Sequence, residues 1–178
     1  MFMNKQIINA MAMKRALTRI TYEIIEKNKG TNQLVLIGIK TRGEFIAQRI
    51  AEQMKKLEGA TVPVIALDIT GYRDDQPSQA AQSQSHVEGA LPVSIDDQRV
   101  ILVDDVFYTG RTMRAAMDAI MDQGRPQTVQ IAVLIDRGHR EMPIRPDFVG
   151  KNVPTANSEA VRVNMTEIDD QDKVELIK

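Results

Sequence analysis

The chain has 178 residues, room for one domain with a substantial apolar core, and a formal net charge of −1. That balance excludes the globally basic footprint of a nucleic-acid-binding protein, so any basic patch has to be local. With no cysteine and only two histidines, His86 and His139, it offers neither a disulfide scaffold nor a thiolate or histidine-spaced metal site. Cytosol is the default compartment; residues 1–5 lack the apolar core of a signal peptide, and no apolar run approaches the roughly 20 residues of a membrane span.

In chain order, Met13, Leu17, Ile20 and Ile24 recur at helical spacing and predict an amphipathic helix over residues 11–27, with Gly30 as its left-handed cap. Lys14, Arg15, Thr18, Arg19 and Tyr22 fall on the opposite side, which read alone is a solvated face. Residues 34–39 form a near-continuous apolar run of strand length, fitting a parallel strand covered on both faces. Lys40, Thr41, Arg42 and Gly43 follow, then a predicted helix over residues 44–57. The spacing from Gly38 to Gly43 mimics an ATP-binding P-loop, but Glu44 and Phe45 stand where that loop needs Lys and Ser or Thr, which excludes it. What remains is a loop with two cations at the carboxyl end of a strand, the edge where open α/β sheets bind ligands.

Another strand is predicted over residues 62–69, interrupted near its start by Pro63 and followed by Tyr72, Arg73 and Asp74. Residues 76–89 are rich in Gln, Ser and Ala, without apolar periodicity. So long a segment after a strand of the sheet is read as a lid, covering about residues 70–89. Strands over 100–104 and 128–135 flank a helix ended by Gly124, Arg125 and Pro126. Residues 136–160 are irregular and punctuated by Pro143, Pro146 and Pro154, with Phe148 and Val149 as apolar lining. They are read as a cap, joined by terminal segments that include short strands over 161–165 and 173–177. His139, beside Asp136 and Glu141, reads as an exposed loop histidine. The order implies an α/β fold with a mainly parallel sheet flanked by helices.

Residues 100–112 carry the most chemistry. Four apolar residues run into Asp104 and Asp105, then Val106, Phe107, Tyr108, Thr109, Gly110, Arg111 and Thr112 lead into a helix marked by Ala115, Ala116, Ala119 and Ile120. A loop opening a helix presents backbone N–H groups to an anion. Thr109 and Thr112 add hydroxyls, Gly110 close backbone approach and Arg111 positive charge. The paired carboxylates repel phosphate but suit vicinal hydroxyls or a hydrated Mg²⁺. Phosphate at one end and diol at the other describe a ribose 5-phosphate; the plain alternative is a strand–turn–helix whose Thr caps the helix.

The same stretch resembles the signature of type I phosphoribosyltransferases, which bind 5-phosphoribosyl-1-pyrophosphate (PRPP). Residues 15–20, 38–43, 72–75, 136–141 and 150–155 resemble one branch of that family, the uracil phosphoribosyltransferases that regulate pyrimidine operons. The resemblance implies a single type I phosphoribosyltransferase domain over residues 1–178, with a small cap and a lid that includes Tyr72, Arg73 and Asp74. It implies conversion of uracil and PRPP to UMP and pyrophosphate, with Mg²⁺ carried by PRPP near Asp104 and Asp105. It also implies binding to pyrimidine operon leader mRNA when UMP or UTP is abundant, no DNA or membrane partner, and a homodimer or higher homo-oligomer. By the same resemblance Asp104, Asp105, Lys40 and Arg42 are catalytic, and Val103 through Thr112 hold phosphate and ribose. Lys40, Thr41, Arg42 and Gly43 form the pyrophosphate loop. Arg137 and Val161 meet the base, with Val106 and Phe107 as further apolar wall. Lys14, Arg15, Thr18, Arg19 and Tyr22 meet RNA; the family leads one to expect His in place of Tyr22, which keeps a stacking ring but not a cation near neutral pH.

Overall fold

Each long apolar run becomes a central strand. In chain order the computed structural model, which describes residues 4–72 and 91–178, has β1 (Lys5–Ile8), α1 (Ala10–Asn28), β2 (Leu34–Ile39), α2 (Arg42–Glu58), β3 (Val64–Leu67) and a single 3-10 turn (Thr70–Tyr72). Then come β4 (Arg99–Phe107), α3 (Arg111–Met121), β5 (Thr128–Asp136), β6 (Phe148–Asn152), β7 (Ala160–Asn164), α4 (Thr166–Asp169) and β8 (Lys173–Ile177). Arg73, Asp74 and the segment 76–89 read as a lid lie outside the described residues.

Five strands form a parallel sheet in the order β3-β2-β4-β5-β6. Side chains alternate across it with period two. Leu34 and Leu36 join the core under α1 and α2, whereas Val35, Ile37 and Ile39 join the core under α3. Burial on both faces is why β2 reads as unbroken apolar sequence. A second, antiparallel sheet, β1-β8-β7, forms a hood. Its Val163 and Val174, with Met165 after it, belong to the same apolar cluster as α1 and α2, so the hood is seated on the main core.

Several boundaries differ from expectation. The left-handed cap of α1 is Lys29 (φ 55°), one residue before Gly30. Asn28 fixes that end: its buried amide donates to the Ile24 carbonyl and to Gln130 Oε1, each at 2.9 Å. α2 begins at Arg42, earlier than the pattern predicts. β4 continues past the apolar run to Phe107, because β5 pairs with Asp104, Val106 and Phe107 as well. The largest correction concerns the cap. Residues 148–152 are not part of it but pair in parallel with β5 as the sheet's edge strand, with Phe148 buried in the core that α1 covers. The hood comes from the terminal segments instead.

α2 also clasps the hood electrostatically. The Arg49 guanidinium makes bidentate contact with Glu167 (2.8 and 2.6 Å) and with Asp172 (2.9 and 2.8 Å). Hydrogen bonds from Arg49 hold the Glu167 carboxyl below the usual range. Burial pushes Asp172 up, but Arg49 and the N–H and hydroxyl of Thr166 outweigh that and leave it lowered. Breaking a half-buried pair by removing one partner costs several kcal/mol, so Arg49→Met should cost about 2–3 kcal/mol after discounting for partial exposure. Carboxyls lowered on folding stabilise above their unfolded values, 4.5 for Glu167 and 3.8 for Asp172, and that contribution disappears as pH falls through the folded values. Urea unfolding should therefore separate wild type from Arg49→Met widely at neutral pH and narrowly in acid; an equal gap at both would contradict the clasp.

Candidate active site

The two loops that sequence reading singled out meet at the carboxyl edge of the sheet. Gly43 brings them together by close approach, and Gly38 lets the first loop fold back on its own strand. A Cβ on Gly38 would lie 2.4 Å from the Glu44 Cα, and one on Gly43 would lie 2.4 Å from the Val103 carbonyl oxygen. Gly38 makes the β2–α2 turn tight and Gly43 lets that turn press against β4; the P-loop spacing serves packing. Lys40 is anchored by its N–H to the Leu67 carbonyl at 2.9 Å, and the peptide joining it to Thr41 is cis.

Lys40, Thr41 and Arg42 line one cavity of about 330 Å³ together with Asp68, Thr70, Asp104, Asp105, Val106 and Thr112. Within it Asp68 accepts from the Thr70 hydroxyl (2.6 Å) and N–H (2.9 Å). Those bonds, with a smaller pull from Lys40, hold its carboxyl below the usual range. Asp104 is buried and accepts the Asp105 N–H at 2.8 Å; Asp105 in turn accepts the Val106 N–H at 2.8 Å. The acids are thus fixed by the backbone of the strand end that carries them. The Arg42 guanidinium reaches out of the loop to Asp169 of the hood at 3.0 Å.

An adjoining cavity of about 350 Å³ is lined by Asp104, Val106 to Met113 and Glu141. Gly110 takes φ 92° and opens α3 without a side-chain cap, and the first intrahelical bond is Arg114 N–H to the Gly110 carbonyl at 3.0 Å. The N–H groups of the helix's first turn therefore face the cavity's end of α3, the arrangement that favours an anion. Thr109 Oγ1 accepts the Arg111 N–H at 3.3 Å, a weak version of the plain capping role. Arg111 Nε meets Glu141 at 2.7 Å, and the loop bearing Glu141 is tied down by N–H bonds from Glu141 and Met142 to the Thr109 carbonyl. Val103 and Phe107 contribute backbone only. Val103 is in the core beneath α1 and α2, and Phe107, 2% exposed, is the floor under the loop rather than a wall for a base.

On the other side, Arg137 follows β5. It is buried, donates to Thr155 Oγ1 (3.1 Å) and the Glu159 carbonyl (2.6 Å), and sets its guanidinium carbon 4.0 Å from the Tyr108 ring centroid, a cation–π contact. His139 is exposed and bonded through Nε2 to the Thr155 carbonyl at 2.6 Å. Asp136, Arg137, Asn152 and Thr155 share a third cavity, and Val161 is half-buried against the main core in β7.

The family described as phosphoribosyl transferase domain matches residues 3–168. The chain belongs to the phosphoribosyltransferase family. It is 62% identical over 177 residues to the bifunctional protein PyrR of Ligilactobacillus salivarius, covering 99% of both chains. It is 61% identical over 173 residues to that of Pediococcus pentosaceus, covering 97% of this chain and 98% of the other. Among solved structures it resembles a hypoxanthine phosphoribosyltransferase of Staphylococcus aureus (TM-score 0.73, 16% identity, covering 98% and 92%). It likewise resembles that of Trypanosoma cruzi (TM-score 0.73, 16% identity, covering 97% and 95%). At such identities these neighbours establish the type I phosphoribosyltransferase fold, not the base.

In a phosphoribosyltransferase the hard oxygen donors of Asp104 and Asp105 suit Mg²⁺. Among the described residues no three acidic or histidine side chains converge as a metal cage. A cation fitted here would therefore be held largely by ligand oxygens and water, with one or both acids. Sequence reasoning did not single out three groups that line these cavities or contact their residues: Asp68, Glu141 and Asp169. Asp68 and Thr70 carried a local signal, an Asx turn at a strand end. Asp169, 127 residues from Arg42, carried none.

The face of α1 opposite the core is a shallow concavity of about 640 Å³ lined by Met11, Lys14, Arg15, Thr18, Arg19, Tyr22, Glu23 and Glu26. Its members are not equivalent. Thr18 donates its hydroxyl to the Lys14 carbonyl at 2.9 Å. Arg19 is spent on Glu23 and on the Val149 and Gly150 carbonyls of β6. Tyr22 is 54% exposed. No helix among the described residues is long and apolar enough to cross a membrane.

Proposed function

We propose that this phosphoribosyltransferase converts uracil and PRPP to UMP and pyrophosphate in the cytoplasm. Occupancy of the same site by pyrimidine nucleotide would govern binding to pyrimidine operon leader mRNA. The observation that carries the enzymatic part is the pair of adjoining cavities sharing Asp104, Val106 and Thr112. One ends on a helix N-terminus with threonine hydroxyls, the other on Lys40 and Arg42, and the paired acids sit between them. Phosphate, ribose diol and pyrophosphate fit that sequence in order. Identity of 61% and 62% to bifunctional PyrR proteins along nearly the full chain supports uracil and RNA.

Displacing pyrophosphate from the anomeric carbon builds positive charge on the ribose and negative charge on the departing group. Asp104 and Asp105, fixed by backbone N–H groups, orient the ribose hydroxyls and stabilise the positive side. Lys40 stabilises the negative side. The first turn of α3 and Thr112 hold the phosphate, which does not react, and so convert binding into orientation. Mg²⁺, when bound with PRPP, neutralises pyrophosphate charge. Arg137, held against the Tyr108 ring by a cation–π contact, presents its remaining N–H groups to a base carbonyl, with Val161 and Val106 as apolar surface. Assay of UMP formation from a panel of bases tests this reading.

For RNA, Lys14 and Arg15 supply the cations, since Arg19 is engaged by carbonyls, and Tyr22 supplies a stacking ring. Lys14→Gln with Arg15→Gln should weaken binding to a leader hairpin and reduce the slope of log affinity against log salt by roughly one per lost phosphate contact. UMP synthesis should be unaffected. Unchanged affinity in a salt titration would return this face to ordinary solvated surface. A homodimer is proposed for the assembly.

A further inference from the structure

The pyrophosphate-side arginine already has an anion. Arg42 Nη2 lies 3.0 and 3.1 Å from the two carboxylate oxygens of Asp169, so one corner of the guanidinium holds both. A guanidinium carries five N–H groups in a rigid fork, and this pairing uses only one corner. Among the described residues, Arg42 Nε is buried without a hydrogen-bond partner. The same side chain lines the cavity with Lys40, Asp104 and Asp105. A pyrophosphate there, with more charge and more acceptor oxygens, offers the fork a better match than Asp169 does.

Asp169 loses little by giving Arg42 up. Its Oδ2 accepts the Met165 N–H at 2.9 Å, and that bond, ahead of Arg42, is what holds its carboxyl below the usual range. The hood also stays docked without this contact. Arg49, on the same helix, holds Glu167 and Asp172 on either side of Asp169.

We propose that Asp169 is a positioning residue, an internal counter-ion for Arg42 that pyrophosphate-bearing ligands displace and nucleoside monophosphates leave in place. The hood contact then distinguishes PRPP from UMP in one site. A monophosphate on the α3 loop has no group reaching Arg42, so the pair persists. A pyrophosphate takes Arg42 and detaches it from the hood. As pyrophosphate departs, Asp169 recaptures the arginine and assists release. The inference rests on reading the site as one for PRPP and UMP.

The test is calorimetric titration of wild type and Asp169→Asn with inorganic pyrophosphate plus Mg²⁺, and separately with UMP. Asparagine keeps an acceptor for the Met165 N–H while removing the competing charge. Pyrophosphate should bind the variant about threefold to tenfold tighter, and UMP within about twofold of wild type. In turnover the KM for PRPP should fall without a rise in kcat, and Asp169→Glu should restore wild-type values. Glu167→Gln, which loosens the hood but keeps Asp169, should not tighten pyrophosphate. If wild type binds pyrophosphate and UMP but Asp169→Asn binds pyrophosphate no tighter, the exchange is overturned and the site reading stands. Equal tightening in Glu167→Gln also overturns it, as general loosening of the hood. If wild type binds neither ligand, the phosphoribosyl reading itself falls and takes the exchange with it.

Discussion

Asp104→Asn and Asp105→Asn should each lower the turnover of UMP synthesis by about tenfold to a thousandfold, the scale for losing one preorganised electrostatic contact in a transition state. Both changes preserve shape. An asparagine at either position would still offer an oxygen to the N–H group of Asp105 or Val106, which the carboxylates accept at 2.8 Å. What each variant loses is charge beside a ribose that becomes cationic. The effect should therefore appear in kcat more than in binding of UMP, whose ground state has no such charge. Steady-state kinetics with equilibrium UMP binding separates the two. Wild-type kinetics in both variants would make the acids structural.

Gly43→Ala should be nearly as damaging, though Gly43 contributes no side chain to the chemistry. Its added methyl would stand 2.4 Å from the Val103 carbonyl oxygen and 3.2 Å from the Asp104 Cα. Backbone lies on both sides of the contact, so relief requires moving the start of α2 away from β4. We expect destabilisation of about 1–3 kcal/mol from overpacking. A shift of about 1 Å between Lys40 and the acids would add roughly a hundredfold loss of turnover. Thermal unfolding and kinetics on one preparation check both. A Gly43→Ala enzyme with wild-type stability and turnover would show that the two loops are not held in register by this contact.

The part of the fold that sequence exposed is the part burial dictates. Residues 34–39 and 100–103 are apolar because both faces of β2 and β4 are covered, and the acids after Val103 mark the carboxyl-terminal part of β4, where the apolar run stops. What sequence concealed depends on partners far along the chain. β6 has only Phe148 and Val149 as large apolar residues, and it is a strand because β5 offers it an edge and Arg19 covers two of its carbonyls. Asp104 and Asp105 looked like the end of a strand, but pairing with β5 extends β4 to Phe107. The family resemblance placed Arg19 on an RNA face and Arg42 in the pyrophosphate loop; neither it nor the charge pattern could show that one is engaged by β6 and the other by Asp169. Phe107, an apolar residue in a loop when read from sequence, is drawn into the core beneath Gly110, where its ring is too buried to serve as the wall proposed for a base.

The acids, the loop that opens α3 and the Lys40 loop are expected to form one working site for uracil. Purified protein mixed with PRPP, Mg²⁺ and, separately, uracil, orotate, cytosine, hypoxanthine or guanine tests this directly, with nucleotide and pyrophosphate both quantified. UMP and pyrophosphate should form in equal amounts with uracil, with no comparable product from the other bases. Formation of a purine nucleotide or of orotidylate in preference to UMP, or absence of any nucleotide while PRPP still binds, would contradict this.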